Sequence, residues 1–311
     1  MEIICSDCKK KGNSSSSIPA EEKKSKQTAH TSGEVLKKQI LQTVEDLPPM
    51  PQVAQKARQV VSNPDSSFKE LAKVIETDQA IAAKVLRMAN SAYYGSVGDV
   101  SSVQQASVVL GTKTLIELLN LACASGPLSK TLKGYDLEAE DLWKHSLAVA
   151  SGSRIIAKKR SAELAEDAFS AGLIHDVGKL ILDSYIFERR EAFERVIQKG
   201  TESFLEIEKQ VLGFDHAEIA SEVCEKWQIP SHLSFAIRHH HDPLQSDENE
   251  LAYIIHVADI TAMMTGIGGG IDGMLYKIDD RAMDFLKFGH TDITILMGEI
   301  AEYVSKTMES I

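Results

Sequence analysis

The fold is decided by the stretch over residues 68–95, FKELAKVIETDQAIAAKVLRMANSAYYG. Its apolar residues recur at three- and four-residue spacing, which is typical of helices that bury one face. They are Leu71, Val74, Ile75, Ile81, Val85 and Leu86. Ser66 or Ser67, followed by Glu70, has the pattern of a capping box. Asp78 is placed to cap the next helix, so the stretch predicts two short helices in succession.

The same helical spacing continues before and after this stretch. No segment alternates apolar and polar residues over a useful length, so the sequence predicts an all-α fold without a sheet. Prolines within residues 48–51 end a first short helix, and Gly111 is expected to hinge two helices over 102–110 and 112–124. Further helices are expected over 140–160, 167–175, 189–198, 201–211, 215–226, 231–239, 249–265, 279–287 and 291–308. The helix over 167–175 is expected to stop near Gly178.

Composition divides the chain into four parts. The first residues are poor in apolar side chains and contain SSSS and EEKKSK, so they are expected to form a disordered tail. The stretch GIGGGIDG over 266–273 holds five glycines and is expected to be a loop. The parts are a tail over 1–33, an N-terminal helical subdomain over 34–125, a second helical subdomain over 126–265, and a glycine-rich linker with C-terminal helices over 266–311.

Bulk composition excludes several classes of protein. The chain has 311 residues, of which 43% are hydrophobic and 25% charged, as in ordinary globular proteins. Its net charge is -11 without a basic stripe, which argues against nucleic acid as a partner. No run of eighteen apolar residues predicts a membrane span, and the N-terminus lacks the apolar core of a signal peptide. We therefore expect a cytoplasmic protein.

The four cysteines are too few for a disulfide scaffold. Cys5 and Cys8 form a CxxC pair, but a structural zinc needs two more ligands and only His30 is close in sequence. We favour an incidental pair on the tail. Cys123 and Cys224 lie in apolar helical patterns and are interpreted as small core residues.

Several histidines and carboxylates are embedded in apolar runs, namely His145 in LWKHSLAVA, His175 and Asp176 in LIHDVGK, and His256 and Asp259 in IIHVADI. Buried ionisable groups must be paired, hydrogen-bonded or bound to metal, because burying them alone is costly. Imidazole with carboxylate is the ligand mix that suits iron, manganese or zinc. The alternative is a metal-free hydrogen-bonded network.

The order of these residues resembles the HD superfamily of metal-dependent phosphohydrolases. The resemblance implies that one divalent metal is bound by His145, His175, Asp176 and Asp259. Lys179 follows the HD pair in HDVGK and would meet a phosphate or a developing charge. The alternative for this lysine is an interaction with the dipole at a helix C-terminus.

Further histidines resemble the HD-GYP branch of that superfamily. His216 in FDHAEIA and the pair His240 and His241 in RHHHDP match positions that complete a centre with more than one metal. The resemblance thus implies one or two ions in this chain. The GYP stretch itself is absent after His241, which argues against hydrolysis of cyclic di-GMP.

The N-terminal half resembles the HDOD signature in three segments, LPPMPQVAQKA over 47–57, the stretch over 68–95, and VSSVQQASVVLG over 100–111. With the HD-like half, the resemblance spans residues 47–265. Many HDOD domains are degenerate at the metal positions and are thought not to be catalytic, whereas this chain retains all seven candidate ligands. The segment RMANSAYYG suggests a functional role for Arg87, Asn90, Tyr93 and Tyr94, but packing between the two halves is favoured.

Two functions follow from the resemblance. The first is a signalling module that binds a partner protein or a small phosphorylated ligand, with metal present for structure or sensing. The second is a metal-dependent phosphohydrolase acting on a nucleotide or phosphoester, in which Asp176 orients a metal-bound water and Lys179 offsets phosphate charge. His256 is expected either to donate to a metal-bound carboxylate or to be an ordinary core or surface histidine, and the second is favoured. A closed metal shell would favour the module.

Overall fold

The computed structural model describes residues 35–42, 52–63, 66–90, 94, 100–198, 200, 203–271 and 278–309. Every regular element in these residues is a helix, which confirms the predicted all-α fold. A single isolated bridge within this part of the chain pairs Leu132 with Leu137. The predicted tail, with its CxxC pair and His30, lies outside the described residues.

The N-terminal helices pack around one long helix. They are α1 over 35–42, α2 Gln52–Ser62, α3 Phe68–Ile75, α4 Gln79–Ala89 and α5 Val103–Leu128. Both predicted caps are present, since Ser67 and Glu70 bond each other's backbone N–H and Asp78 accepts from Ala80 and Ile81. Helices α3 and α4 both lie against α5, so the stretch that decides the fold packs on a single partner.

Gly111 interrupts α5, as the sequence predicts, with φ 82° and ψ 167°. This is the helix among the described residues that is long and apolar enough to cross a membrane by length and composition, although the sequence analysis expected none. The break divides it into segments shorter than the ~20 residues that a helical span needs. Core helices meet the same criterion, and α3 and α4 cover one side of α5.

The second half is built around α6. Its elements are α6 Asp141–Arg160, η1 Ala162–Leu164, α7 Ala165–Ile174, α8 Val177–Glu188, α9 Arg190–Ile197, α10 Phe204–Leu212, α11 His216–Lys226, α12 Ser231–Arg238, η2 Pro243–Gln245 and α13 Glu250–Met264. Helix α6 contacts α7 and α13 and is buried on almost every side from Leu142 to Gly152. A helix that is covered all round lies at the centre of a domain.

Gly178 does not end a helix, so the prediction from the sequence is wrong at this position. The sequence predicted the end of a helix there and no helix before residue 189, whereas α8 begins at Val177 and Gly178 lies in its first turn. At this point α8 crosses α11, and a Cβ on Gly178 would collide with the carbonyl oxygen of His216. The glycine therefore permits a close helix crossing, which composition alone does not distinguish from a helix stop.

The last two predicted helices are confirmed as α14 Asp280–Leu286 and α15 His290–Met308. Helix α15 packs on α6, where Gly152 leaves room for the side chain of Ile300. Cys224 is buried and Cys123 is half-buried, as expected of core residues. Burial raises the pKa of the Cys224 thiol to about 12.

One buried carboxylate connects three parts of the chain. Glu117 of α5 accepts hydrogen bonds from the hydroxyls of Tyr94, at 2.7 Å, and of Tyr303 in α15, at 3.2 Å. Its other oxygen lies 2.9 Å from the guanidinium of Arg154 in α6. Tyr94 thus has a packing role, as the sequence analysis favoured, and the N-terminal helices are tied to the HD-like half through Arg154.

Candidate metal centre

The seven predicted ligands come from five places in the fold and converge in the interior of the HD-like half. They are His145 in α6, His175 and Asp176 in the turn between α7 and α8, His216 at the start of α11, His240 and His241 after α12, and Asp259 in α13. Six are buried, and the side chain of His241 is 4% exposed. Residues up to 114 positions apart in sequence, from 145 to 259, therefore share one site.

One group of these residues surrounds a small space with two imidazoles and two carboxylates. The Nε2 atom of His145 lies 3.0 Å from Oδ1 of Asp259 and 3.6 Å from Oδ2 of Asp176. The Nε2 atom of His175 lies 3.3 Å from Oδ2 of Asp176 and 3.7 Å from Oδ1 of Asp259. Alternating nitrogen and oxygen donors at these separations are suited to one shared cation.

A second group shares Asp176 with the first. Its Oδ1 atom lies 3.3 Å from Nε2 of His216 and 4.0 Å from Nε2 of His240. The Nε2 atoms of His216 and His241 are 2.9 Å apart. Because Oδ2 faces the first group and Oδ1 the second, Asp176 stands between two sets of donors that could each hold an ion.

The donors fit a metal because several of them are buried without another partner. Within the part of the chain that the structure describes, no hydrogen-bond partner is present for either ring nitrogen of His145, for Nε2 of His175 and His240, or for either oxygen of Asp259. His145 and Asp259 are close, but their atoms are not aligned for a hydrogen bond. Each buried polar group left unpaired costs ~1–3 kcal/mol. A divalent cation among them would remove this cost.

Both carboxylates are held in the ionised form. Burial by itself would raise the pKa of Asp259, but His145 and His175 outweigh it and hold that pKa well below its usual range. The same opposition acts on Asp176, where His175 and Lys179 lower the pKa. Both carboxylates are therefore ionised at neutral pH, which is the form that binds a cation.

The imidazoles divide into two kinds. Burial and the neighbouring His175 lower the pKa of His240 to about 3, and burial with His240 and His216 lowers that of His241. Burial also disfavours charge on His175, but Asp176 and Asp259 outweigh it and raise its pKa to about 10. Two rings are therefore neutral at physiological pH, while in metal-free protein His175 keeps a proton that a metal would have to displace.

Backbone carbonyls orient two of these rings. The Nδ1 atom of His175 lies 2.8 Å from the carbonyl oxygen of Gly172, and Nδ1 of His240 lies 2.6 Å from that of Ile237. A ring that donates from Nδ1 has Nε2 on its other side, which in both residues faces the centre, so Nε2 is the atom that would bind an ion once it carries no proton.

A family model of the HDOD domain matches residues 47–243 of this chain. The chain belongs to the HDOD family. The match covers α2 to α5 and most of the HD-like half, and it lies within the range over which the sequence resembles the family.

Solved structures agree with this assignment. An HDOD domain protein of unknown function from Geobacter sulfurreducens is 23% identical, with a TM-score of 0.72, and the alignment covers 92% of this chain and 99% of that one. A protein of Shewanella amazonensis that carries the name "Putative phosphohydrolase" is 26% identical, with a TM-score of 0.66, over 87% of this chain and 96% of that one. An uncharacterized protein of Treponema pallidum is 26% identical over 227 residues, and this chain spans 42% of its length.

Lys179 lies beside the centre of this HDOD protein but not at a helix C-terminus. It is in the first turn of α8, so the proposed interaction with the dipole at a C-terminus is wrong. Its Nζ atom is 2.8 Å from Oδ2 of Asp176, and the side chain is 3% exposed. The charge of Asp176, rather than the helix dipole, holds this lysine in the interior.

His256 is a core histidine, as the sequence analysis favoured. Its Nδ1 atom lies 2.9 Å from the carbonyl oxygen of His240, and Nε2 accepts the backbone N–H of Asp279 at 3.3 Å. Neither ring nitrogen bonds a carboxylate of the centre. The residue instead fixes the backbone that carries His240.

The glycine-rich stretch over 266–271 covers one side of the centre. Gly268 lies so close to α6 that a Cβ there would be 2.7 Å from Cβ of His145, and the backbone N–H of Ile271 donates to the carbonyl oxygen of Tyr135 at 2.9 Å. The cavity between this stretch, His145 and Lys179 measures about 10 Å³. That is room for about one water molecule. The sequence predicted a loop here but gave no sign that it covers a site.

Sequence reasoning missed Glu208, a fully buried carboxylate on α10 that bonds His216. A signal was present, since Glu208 lies four residues after Phe204 and four before Leu212, on the apolar face of its helix. Tyr135, which bonds the same carboxylate, lies in an irregular segment where no periodicity marks it.

Proposed function

We propose that this HDOD protein is a signalling protein whose HD-like half holds one or two divalent metal ions, and that it acts by binding a partner protein or a small phosphorylated ligand. The observation that carries the proposal is the convergence of seven ligand side chains, several of them unpaired, in an enclosed interior site. Iron, manganese and zinc all suit this mix of imidazole and carboxylate. A bound ion would supply Lewis acidity and would lower the pKa of a coordinated water.

Enclosure favours a binding role over hydrolysis. Pockets that bind small molecules usually measure ~300–1,000 Å³. The cavity beside His145 and Lys179 measures about 10 Å³. A larger cavity of about 280 Å³ lies between α6 and α15, but none of the seven ligands lines it. Neither of these two cavities of the described residues offers a phosphoester room next to the centre.

The ion pair of Lys179 with Asp176 also favours a binding role over hydrolysis. In a phosphohydrolase this lysine would offset the charge of a bound phosphate. Here its Nζ atom is 2.8 Å from Asp176, and the glycine-rich stretch covers it. The charge of the lysine is thus used to stabilise a ligand carboxylate.

A metal-dependent phosphohydrolase acting on a nucleotide or phosphoester is the second candidate. It is favoured by the arrangement of Asp176 and Lys179 at one edge of the donor set, where the carboxylate would orient a water and the lysine would meet a phosphate. The Shewanella relative, which carries a phosphohydrolase name, supports the same candidate. We do not extend it to cyclic di-GMP, because the GYP stretch is absent.

The two candidates are separated by assaying the metal-loaded protein. The test incubates manganese-, iron(II)- or zinc-loaded protein with bis-p-nitrophenyl phosphate, p-nitrophenyl phosphate and a panel of nucleotides, with Asp176→Ala as control. The signalling proposal expects bound metal without turnover above that of the control. Turnover that needs metal and disappears in Asp176→Ala would establish the phosphohydrolase instead.

A further inference from the structure

We infer that Glu208 is a positioning residue that holds His216 as a ligand of the second ion, with Tyr135 fixing Glu208 in turn. The inference rests on the proposed metal centre and deepens it, because it assigns the affinity of one ion to a side chain that is not itself a ligand. It arises from a buried carboxylate that the centre does not use directly.

Among the described residues, Glu208 forms hydrogen bonds with His216 and Tyr135. Its Oε2 atom accepts the backbone N–H of His216 at 2.9 Å and lies 2.7 Å from Nδ1 of the same residue. Its Oε1 atom accepts the hydroxyl of Tyr135 at 2.7 Å. Glu208 is 0% exposed, so bulk solvent does not reach these bonds. Both oxygens are therefore fixed, and one of them addresses the ring and the backbone of a single histidine.

The chain reversal between α10 and α11 fixes the position of Glu208 relative to His216. Helix α10 ends at Leu212, and Gly213 follows it with a φ of 87° that allows the chain to reverse. Asp215 caps α11 by accepting the N–H of Glu218 at 2.7 Å. His216 follows as the first residue of α11. Because both helix ends are capped, the eight-residue separation of Glu208 and His216 becomes a fixed distance between two side chains.

The consequence is a defined orientation of the imidazole. When Nδ1 donates to Glu208, Nε2 points away from α10, toward Oδ1 of Asp176 at 3.3 Å and Nε2 of His241 at 2.9 Å. A carboxylate on the outer nitrogen also makes a histidine a stronger metal ligand. The rings of His175 and His240 are oriented by backbone carbonyls instead. Of these three histidines, His216 is therefore the one whose orientation can be disturbed by substituting another side chain.

The effect is expected to be confined to one ion. His216 belongs to the group formed with Asp176, His240 and His241, and not to the group formed by His145 and His175 with Asp176. Loss of Glu208 should therefore weaken the second ion and leave the first in place. A purely structural role in the core would weaken both ions together with the fold.

The experiment uses a graded set of variants in the full chain. Glu208→Gln retains an acceptor oxygen for His216, whereas Glu208→Met keeps the approximate volume and removes the acceptor. Tyr135→Phe removes the hydroxyl that holds Glu208 and is the mildest change. Glu225→Gln, at an exposed carboxylate on α11, is the matched control. Far-UV circular dichroism and thermal unfolding verify that each variant is folded.

Two readouts are combined. Titration of chelator-treated protein with Mn²⁺ gives the two affinities. We expect the second to fall about 10-fold in Glu208→Gln and about 100-fold in Glu208→Met, the range found when outer partners of ligand histidines are removed. The first affinity, and both affinities in Glu225→Gln, should be unchanged. In metal-free protein, ¹⁵N-resolved NMR should show a slowly exchanging proton on Nδ1 of His216 that disappears in Glu208→Met.

The outcomes separate the inference from the proposed function. Two ions bound with equal affinity in wild-type and Glu208→Met, or a parallel loss of both ions, would overturn the role of Glu208 and leave the metal centre standing. Absence of metal binding in wild-type protein would overturn the metal centre. In that case the NMR signal of the Nδ1 proton still tests whether Glu208 positions His216. A proton that is present in wild-type protein and absent from Glu208→Met would support this role. A proton that is absent from wild-type protein would overturn it.

Discussion

The Nε2 atoms of His216 and His241 lie 2.9 Å apart in the interior of the HD-like half. Two imidazole lone pairs repel each other at this distance, so the contact requires a proton or a cation between the rings. Burial with His240 and His216 lowers the pKa of His241, which disfavours a second charged ring. In the metal-free protein the two rings therefore share a proton, and a divalent ion would take its place.

Asp176 should be needed for both ions, and His145 for one. Asp176→Ala removes the carboxylate whose two oxygens face different groups of donors, so we expect a sharp loss of all bound metal with unchanged far-UV helicity. His145→Ala removes a donor from the first group only and should lower the metal content by about half, as measured by elemental analysis. Full metal occupancy in Asp176→Ala would show that the ligand assignment is wrong.

The metal-free protein should lose stability as the pH rises. His175 faces Asp176, Asp259, His145 and His240, and in the folded state the two carboxylates raise its pKa from 6.5 to about 10 despite its burial. A folded-state pKa above the unfolded one contributes stability that is complete below about pH 6.5 and disappears as the pH rises toward 10. Urea unfolding of chelator-treated protein across this window measures the slope.

The matched control for that slope is His175→Gln, which has no titrating group at this position. Its free energy of unfolding should fall less over the same pH range. Metal-loaded wild-type protein should also lose less, because the ion replaces the proton on His175. An equal slope in wild-type and His175→Gln would contradict the shifted pKa.

Gly268 should control how quickly metal escapes. A Cβ at this position would collide with the carbonyl oxygen of Asp141 and lie 2.7 Å from Cβ of His145, and the backbone has φ +66°. Gly268→Ala therefore strains the covering stretch by ~1–3 kcal/mol, and we expect roughly tenfold faster metal loss to a chelator. Gly269→Ala is the control, because nothing lies within 4 Å of its Cβ position. Equal rates in the two variants would show that this stretch does not limit access.

Glu117 should stabilise the whole fold rather than the centre. Glu117→Gln leaves Arg154 without its buried partner at 2.9 Å, and breaking a buried ion pair costs ~3–5 kcal/mol. Glu166→Gln removes the other partner of Arg154, which is 45% exposed, and should cost ~0–1 kcal/mol. Urea unfolding compares the two. A similar free energy of unfolding in both variants would contradict the connecting role of Glu117.

The fold and the seven candidate ligands that converge on one site could be recognised from the sequence because their signals are local. Ser67, Glu70 and Asp78 mark helix starts within three residues, and a histidine or carboxylate inside an apolar run is visible wherever it occurs. The order of His145, His175 and Asp259 adds a pattern specific enough to indicate the superfamily.

What could not be predicted depends on contacts between distant elements. Gly178 looks like a helix stop until α11 is placed against it, and the glycines over 266–271 look like a linker until they lie against His145. In the sequence, nothing relates Glu208 to His216, because the two residues meet only where the chain reverses between α10 and α11. Each of these features arises from a helix crossing or a chain reversal whose partner is far away in the sequence or on another helix.

The most direct test of the proposed centre is the amount of metal per chain in protein purified without chelator or nickel. We predict up to two equivalents of iron, manganese or zinc by elemental analysis, retained on dialysis and lost in Asp176→Ala. Absence of metal in the wild-type protein, together with no thermal stabilisation on adding any of the three ions, would contradict the metal centre and leave the seven residues as a hydrogen-bonded network.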